Sequence, residues 1–166
     1  TKVHNALEKF VLKEDWQITG NNLVSIMAKR MVNDMIEQGL SQVDELWGVE
    51  VGLIAQGLYA GTSDAVGMFN GRESIVDFKT AKKIKKREWI DDYFVQLCAY
   101  AEAHNEVHGT RIRKGVILMC VKPDVDEQFN IIKPPEYQEF VLEGAEFDRY
   151  RDLWWRRVEQ FYLLNT

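Results

Sequence analysis

Ser63-Asp-Ala-Val-Gly-Met-Phe-Asn-Gly-Arg-Glu-Ser-Ile-Val-Asp-Phe-Lys79 places two apolar-rich runs on either side of an Asn70-Gly71 pair. Asn-Gly between such runs is the strongest short-range hairpin signal, because both residues tolerate the positive φ of a two-residue hairpin turn. With Asn70-Gly71 as the loop, Phe69 faces Arg72, Val66 faces Ile75 and Asp64 faces Asp77. Directly opposed side chains on antiparallel strands hold their Cβ atoms about 5 Å apart, and the pleat returns Lys79 to the face of Asp77. Two carboxylates at that spacing repel by roughly 3 kcal/mol at an effective dielectric of about 20. A bound cation relieves the repulsion, so the hairpin predicts a metal site. The competing reading is a solvated structural triad in which Lys79 alone balances the two aspartates. Against it, Ala65, Val66, Ile75, Val76 and Phe78 are apolar on both faces, as in a buried central hairpin where charges are rarely idle. A β-bulge would shift this register.

The 166 residues suit one domain over residues 1–166, and 46% apolar with 28% charged residues is the balance of a soluble globular protein. The chain begins at Thr1 without a methionine, so it can be an excerpt of a longer chain and a missing leader carries little weight. No apolar run approaches the roughly 18 residues of a membrane span, so no membrane partner is expected. Cys98 and Cys120 form no C-x-x-C pair. That argues for a reducing intracellular compartment, the cytoplasm first and the mitochondrial matrix as the alternative, and against an iron–sulfur cluster held by four thiolates. A net charge of −5 speaks against nucleic acid as partner, but its distribution is uneven and outweighs the sum.

Outward from the hairpin, the expected order is α-α-β-β-β-α-β-β-α. Lys2–Lys13 reads as an amphipathic helix. Asn21 or Asn22 caps a second helix reaching Glu37, with Leu23, Ile26, Met27, Met31 and Met35 inward and Gly39 past its end. Leu46–Ala55 reads as a strand before the hairpin, and Glu88–Val107 as a long helix closing near Gly109. Arg113–Val121 and an edge-like Gln128–Lys133 read as strands. Glu136–Leu164 reads as mostly helical, with Phe147, Tyr150, Trp154, Val158 and Phe161 as a core stripe and Trp155 off it. Strands before a crossover helix and a further strand after it predict an α/β fold with a central mixed sheet flanked by helices.

Hard carboxylate oxygens suit Mg²⁺ or Mn²⁺, and the scarcity of His and paired Cys disfavours structural zinc. Two aspartates beside a fixed lysine are what phosphodiester hydrolysis needs, with Lys79 stabilising charge on the transition state rather than acting as a base. Lys82, Lys83, Lys85, Lys86 and Arg87 follow directly. A charge run is usually a solvated face, but here it makes a positive rim suited to a phosphate backbone. His104 and His108 read as surface or helix-end histidines.

Gly61-Thr-Ser-Asp64, then Asp77-Phe-Lys79, then Gln96-Leu-Cys-Ala-Tyr100 on the next helix resembles the RecB-like branch of the PD-(D/E)XK nuclease superfamily, and most of all its mitochondrial genome maintenance exonuclease group with phage and bacterial relatives. Ser63 stands where the family name has proline. The resemblance implies a restriction-endonuclease-like core and a metal-dependent DNA exonuclease. By its implication Asp64 and Asp77 hold the metal, the Phe78 carbonyl is a further ligand, Lys79 is catalytic, and Gln96 and Tyr100 brace the site. His4, in Val3-His4-Asn-Ala-Leu-Glu8, matches the family's early helical histidine at the metal, and Glu50 matches an upstream strand glutamate. A preference for single-stranded DNA and for free ends comes from the resemblance alone. A structure-specific or restriction-like endonuclease on the same core, and a catalytically silent nucleic-acid-binding module, are the competing readings.

Overall fold

Asn70 and Gly71 both take positive φ, +47° and +78°, and the hairpin forms around them as the turn chemistry requires. The computed structural model describes residues 2–55 and 59–164, with the side chains of residues 49–63 outside the description. In chain order the elements are α1 (Lys2–Val11), α2 (Leu23–Asp34), β1 (Val43–Ala55), β2 (Tyr59–Phe69), β3 (Arg72–Ala81), α3 (Asp91–His108), β4 (Lys114–Val121), β5 (Asp124–Val125), β6 (Ile131–Lys133), β7 (Glu136–Glu143) and α4 (Gly144–Leu164). A five-stranded sheet runs β1-β2-β3-β4-β7. Only the β3–β4 pair is parallel, because α3 carries the chain back across the sheet between them. The result is the mixed α/β sheet between helices that the restriction-endonuclease-like expectation called for.

The sheet separates two apolar layers. On one face Val66, Ile75, Ile117 and Met119 pack against Phe94, Leu97 and Cys98 of α3 and against Phe147 and Tyr150 of α4. On the other, Val76, Phe78, Val116 and Leu118 pack against Val3 and Leu7 of α1 and Met31, Val32 and Met35 around the end of α2. Every residue of β4 is buried, so it needs partners on both edges and apolar neighbours on both faces. Capping residues fix the helices that supply them. The Asn22 side chain accepts from the Ser25 amide at 2.8 Å, and Gly109 closes α3 at φ +67°. No described helix is long and apolar enough to cross a membrane. Both cysteines are buried and free, and burial pushes the Cys98 thiol up to about 12.

The second half departs from the sequence expectation. Glu136–Glu143 is a strand rather than the start of the last helix, antiparallel to β4 from Lys114↔Glu143 to Val121↔Glu136. Its period-2 pattern sends Phe140 and Leu142 to one apolar layer and Tyr137 and Val141 to the other, and Gly144, at φ +64°, then turns the chain into α4. The expected edge strand Gln128–Lys133 shrinks to Ile131–Lys133 and pairs with β5 in a separate two-stranded sheet. Ile26 faces solvent at 45% exposure, and Ala28 and Val32 take the inward positions instead. The stripe on α4 is buried at Phe147 and Tyr150 but leaves the core by Phe161, which is 59% exposed.

The sheet contains one close backbone approach with a measurable consequence. Gly67 pairs with Leu46 where β1 slips register, and a Cβ at Gly67 would lie 2.1 Å from the Glu45 carbonyl oxygen. No flexible side chain is available to yield there. Gly67→Ala is expected to lower stability by about 1–3 kcal/mol, read as a lower urea midpoint at unchanged slope. A wild-type midpoint would show that the bulge relaxes freely.

Candidate active site

The β2–β3 ladder holds the expected register, with Phe69↔Arg72, Val66↔Ile75 and Ala65↔Val76. At Asp64 the side chain takes over from the backbone: its Oδ2 accepts the Phe78 amide at 2.8 Å. This satisfies a β3 donor that would otherwise be buried without a partner and anchors the carboxylate against β3. Asp77 is buried, 5% exposed, and its carboxyl lies close enough to that of Asp64 for the two to titrate together. The hairpin therefore does bring both aspartates and Lys79 together, through one carboxylate wedged into the ladder.

Lys79 extends along α3. Its ammonium donates to Asp77 Oδ2 at 2.8 Å and to Gln96 Oε1 at 3.3 Å, and lies 4.7 Å from the centre of the Tyr93 ring. Gln96 donates in turn to the Tyr100 hydroxyl at 2.9 Å. Tyr93, Gln96 and Tyr100 fall at i, i+3 and i+7, a single helical stripe, so one face of α3 clamps the lysine. Tyr93 was not singled out from the sequence, though its helical spacing from Gln96 was available as a signal.

His4 reaches the site from the opposite layer. Its Nε2 donates to Asp64 Oδ1 at 2.7 Å and lies 3.3 Å from Glu8 Oε1, while its ring meets Phe78 edge-on with centroids 5.9 Å apart. One ligand atom each from His4, Glu8 and Asp64 falls within 4.8 Å of the others, the cluster of metal-ligand type among the described residues. Glu8 is a donor that was not among the expected site residues. Its signal was the i,i+4 spacing from His4, which places both on one helix face. One imidazole and hard carboxylate oxygens fit Mg²⁺ or Mn²⁺, and the proton on His4 Nε2 lies where a divalent cation would replace it. The Glu50 side chain lies outside the described residues. The backbone register sets Val49 against Ala65 and Val51 against Ser63, which puts position 50 across from Asp64.

The electrostatics differ from two bare charges in repulsion. Burial opposes ionisation of Asp64, but hydrogen bonds from His4, Asp77 and the Phe78 amide outweigh it and hold this carboxyl low. For Asp77, burial and the contact with Asp64 push the carboxyl up, against the pull of Lys79. The pair divides its titration in the manner of two carboxyls sharing a proton. Burial works against the Lys79 charge, yet Asp77 raises its pKa overall, so the amine stays protonated at neutral pH. The hydrogen bond to Asp64 raises His4.

The basic run divides in two. Arg87 is a brace: it donates to the Val141 carbonyl at 2.7 Å, pairs with Glu146 and stacks on Phe94. Its guanidinium is thus engaged within the chain, while the expectation that it contacts DNA stays a proposal. Lys85 is pinned through its backbone to Gln138, and Lys86 lies over Trp89. Lys82 and Lys83 are exposed and line a cleft with Lys122 and Lys133. Trp155, 37% exposed, donates to Glu102. His104 is buried rather than superficial, 6% exposed, and bonds Thr110 across the end of α3.

No protein-family model matches the chain, and no curated protein matches it. Among solved structures, 99% of the chain is similar to 82% of a phage-related exonuclease from Haemophilus somnus 129PT, at 10% identity and a TM-score of 0.44. It is also similar to a protein described as SSO0001, over 99% of this chain and 74% of that one, at 13% identity and a TM-score of 0.36. Neither likeness is close enough to decide the chemistry, which rests on the geometry of the site.

Proposed function

We propose that this chain is a metal-dependent deoxyribonuclease that hydrolyses phosphodiester bonds from a free end, with a preference for single-stranded DNA. The observation that carries the reading is Lys79, an ammonium held 2.8 Å from Asp77 beside a His4–Glu8–Asp64 donor cluster. His4, Glu8, Asp64 and Asp77 would hold Mg²⁺ or Mn²⁺, with the Phe78 carbonyl and Glu50 as further donors. Bound there, the cation would polarise a phosphoryl oxygen and acidify a water.

The chain's own residues do the rest. Lys79, kept protonated, presents a fixed positive charge to the negative charge that develops on the phosphoryl oxygens. Asp77, Gln96 and Tyr93 limit where that charge can sit, and Tyr100 limits where Gln96 can turn. Such fixing matters because an electrostatic group that must reorganise during the reaction loses much of its effect. Exposed Lys82 and Lys83 give the backbone of the substrate an anchoring surface in an otherwise acidic protein.

Digestion of end-labelled single- and double-stranded oligonucleotides in Mg²⁺, Mn²⁺ or EDTA tests this reading. Expected is cleavage in either metal, none in EDTA, faster loss of the single strand, and resistance of a circular single strand. Efficient cutting of the circle would replace the exonuclease by an endonuclease on the same core. Binding without turnover in any metal would leave a silent nucleic-acid-binding module.

A further inference from the structure

Past β4, Lys122-Pro123 leads into the β5–β6 hairpin, whose loop holds Phe129 out at 71% exposure with φ +64°. A phenylalanine gains nothing from folding when it stays in water, and a bulky residue at positive φ is strained by roughly 1–3 kcal/mol. The loop nevertheless fixes it there. Asp126 Oδ1 accepts the amides of Gln128 and Asn130 at 2.9 and 2.8 Å. Its backbone also pairs with Asn130 and Phe129. The aromatic ring is thus presented by a bonded loop.

Phe129 and Val125 form one wall of an apolar groove of about 910 Å³, with Val24, Met27 and Met31 among the residues of the other. The lining includes Val3 and Thr80, so the groove lies on the α1–α2 face of the sheet, opposite Lys79 and in the layer from which His4 reaches Asp64. Lys2 and Lys122 also line it, and Lys122 is shared with the adjoining cleft, where Lys82, Lys83, Lys122 and Lys133 outnumber Asp124 and Glu136. An apolar slot bounded by cations matches a nucleotide chain, which offers flat apolar base faces a short distance from anionic phosphates. An apolar polypeptide segment has no use for the lysines.

We propose that Phe129 and this groove form a stacking subsite for a nucleobase of the substrate strand, with Lys122 and its neighbours holding that strand's phosphates. This rests on the nuclease reading and adds to it a base-dependent contact. Binding is independent of base identity, because every base has an aromatic face.

The test compares a 12-nucleotide oligothymidylate with an abasic oligonucleotide of equal length. Binding is measured in Ca²⁺ and cleavage in Mg²⁺, for wild type, Phe129→Ala, Phe129→Leu and Phe129→Trp. Expected is a loss of about tenfold or more in oligothymidylate affinity for the Ala and Leu variants, retention in the Trp variant, and no change on the abasic strand. Because Phe129 is exposed, all variants should melt like wild type. Equal binding of the base-bearing strand by wild type and Phe129→Ala, with metal-dependent cleavage intact, overturns the subsite and leaves the nuclease standing. Absence of metal-dependent cleavage in wild type overturns both.

Discussion

Lys79→Ala is expected to slow DNA cleavage by about a thousandfold while Mn²⁺ affinity stays within about threefold of wild type. The rate effect follows from the role of the ammonium. One preorganised donor aimed at developing oxyanion charge is worth roughly a hundred- to a thousandfold, and no other lysine or arginine pairs with Asp77 among the described residues. Lys82 and Lys83, the next lysines along the chain, are exposed and line a different cleft. Metal affinity is largely spared because, of the proposed donors, Asp77 is the one that bonds Lys79, while the donor atoms of His4, Glu8 and Asp64 make no bond to it among those described. Loss of fold is not the cause expected either. Asp77, left without its partner at 2.8 Å, can hold a proton instead, since burial already favours its neutral form. Lys79→Arg should rescue little, because a planar guanidinium cannot occupy the position of a compact ammonium between Asp77, Gln96 and the Tyr93 ring. Gel-based turnover with calorimetric Mn²⁺ titration of the same samples decides the matter. Wild-type turnover in Lys79→Ala would remove the lysine from the chemistry, and a parallel collapse of Mn²⁺ affinity would make it a scaffold for the metal donors.

The hairpin was legible because turn chemistry is local: Asn70-Gly71 sets the register, and every aligned pair out to Ala65↔Val76 follows from it. The last strand was not. Glu136-Tyr-Gln-Glu-Phe-Val-Leu-Glu143 carries helix-favouring Glu, Gln and Leu, and its alternation is spread over two apolar faces. What makes it a strand is the open edge of β4, a tertiary demand that its own residues do not announce. In the site, the same division holds. Asp64, Asp77 and Lys79 converge as their spacing implied, and Gln96 and Tyr100 join them as the resemblance implied. Glu8 was not among the expected donors, because only the packing of α1 on the sheet turns that helix face toward Asp64. Arg87 looked like its lysine neighbours until β7 and α4 supplied the Val141 carbonyl and Glu146. The sequence also implied two repelling charges where burial under α3 makes an unequal pair.

That inequality gives the second large effect. Asp77→Asn is expected to lower Mn²⁺ affinity by about a hundredfold, a loss typical when a metal site loses a ligand or its close support, yet leave the metal-free protein as stable as wild type or more so at pH 8. Burial and the Asp64 contact push the Asp77 carboxyl up to about 7, against about 3.9 in an unfolded chain. The folded protein therefore keeps a proton that the unfolded chain releases, so this group's contribution is full below pH 4 and is lost as pH rises toward 7. His4, raised above 6.5, acts with the same sign, its stabilisation fading as pH rises through its folded pKa. Asp64, held low, acts oppositely but in acid, where its stabilisation is lost as pH falls through its folded pKa. Between pH 6 and 8 the metal-free wild type should thus lose stability as pH rises, and Asp77→Asn, which cannot ionise, should lose less. Mn²⁺ binding must displace the same protons, so wild-type affinity should climb over this interval, with proton release visible as a buffer-dependent binding enthalpy. Urea unfolding at several pH values, run on both proteins without metal, separates the two accounts of Asp77. A large drop in the variant's stability at pH 8 would mean that Asp77 is an ionised partner whose bond to Lys79 holds the fold. Equal or greater stability would mean that the fold tolerates this carboxyl for what it binds.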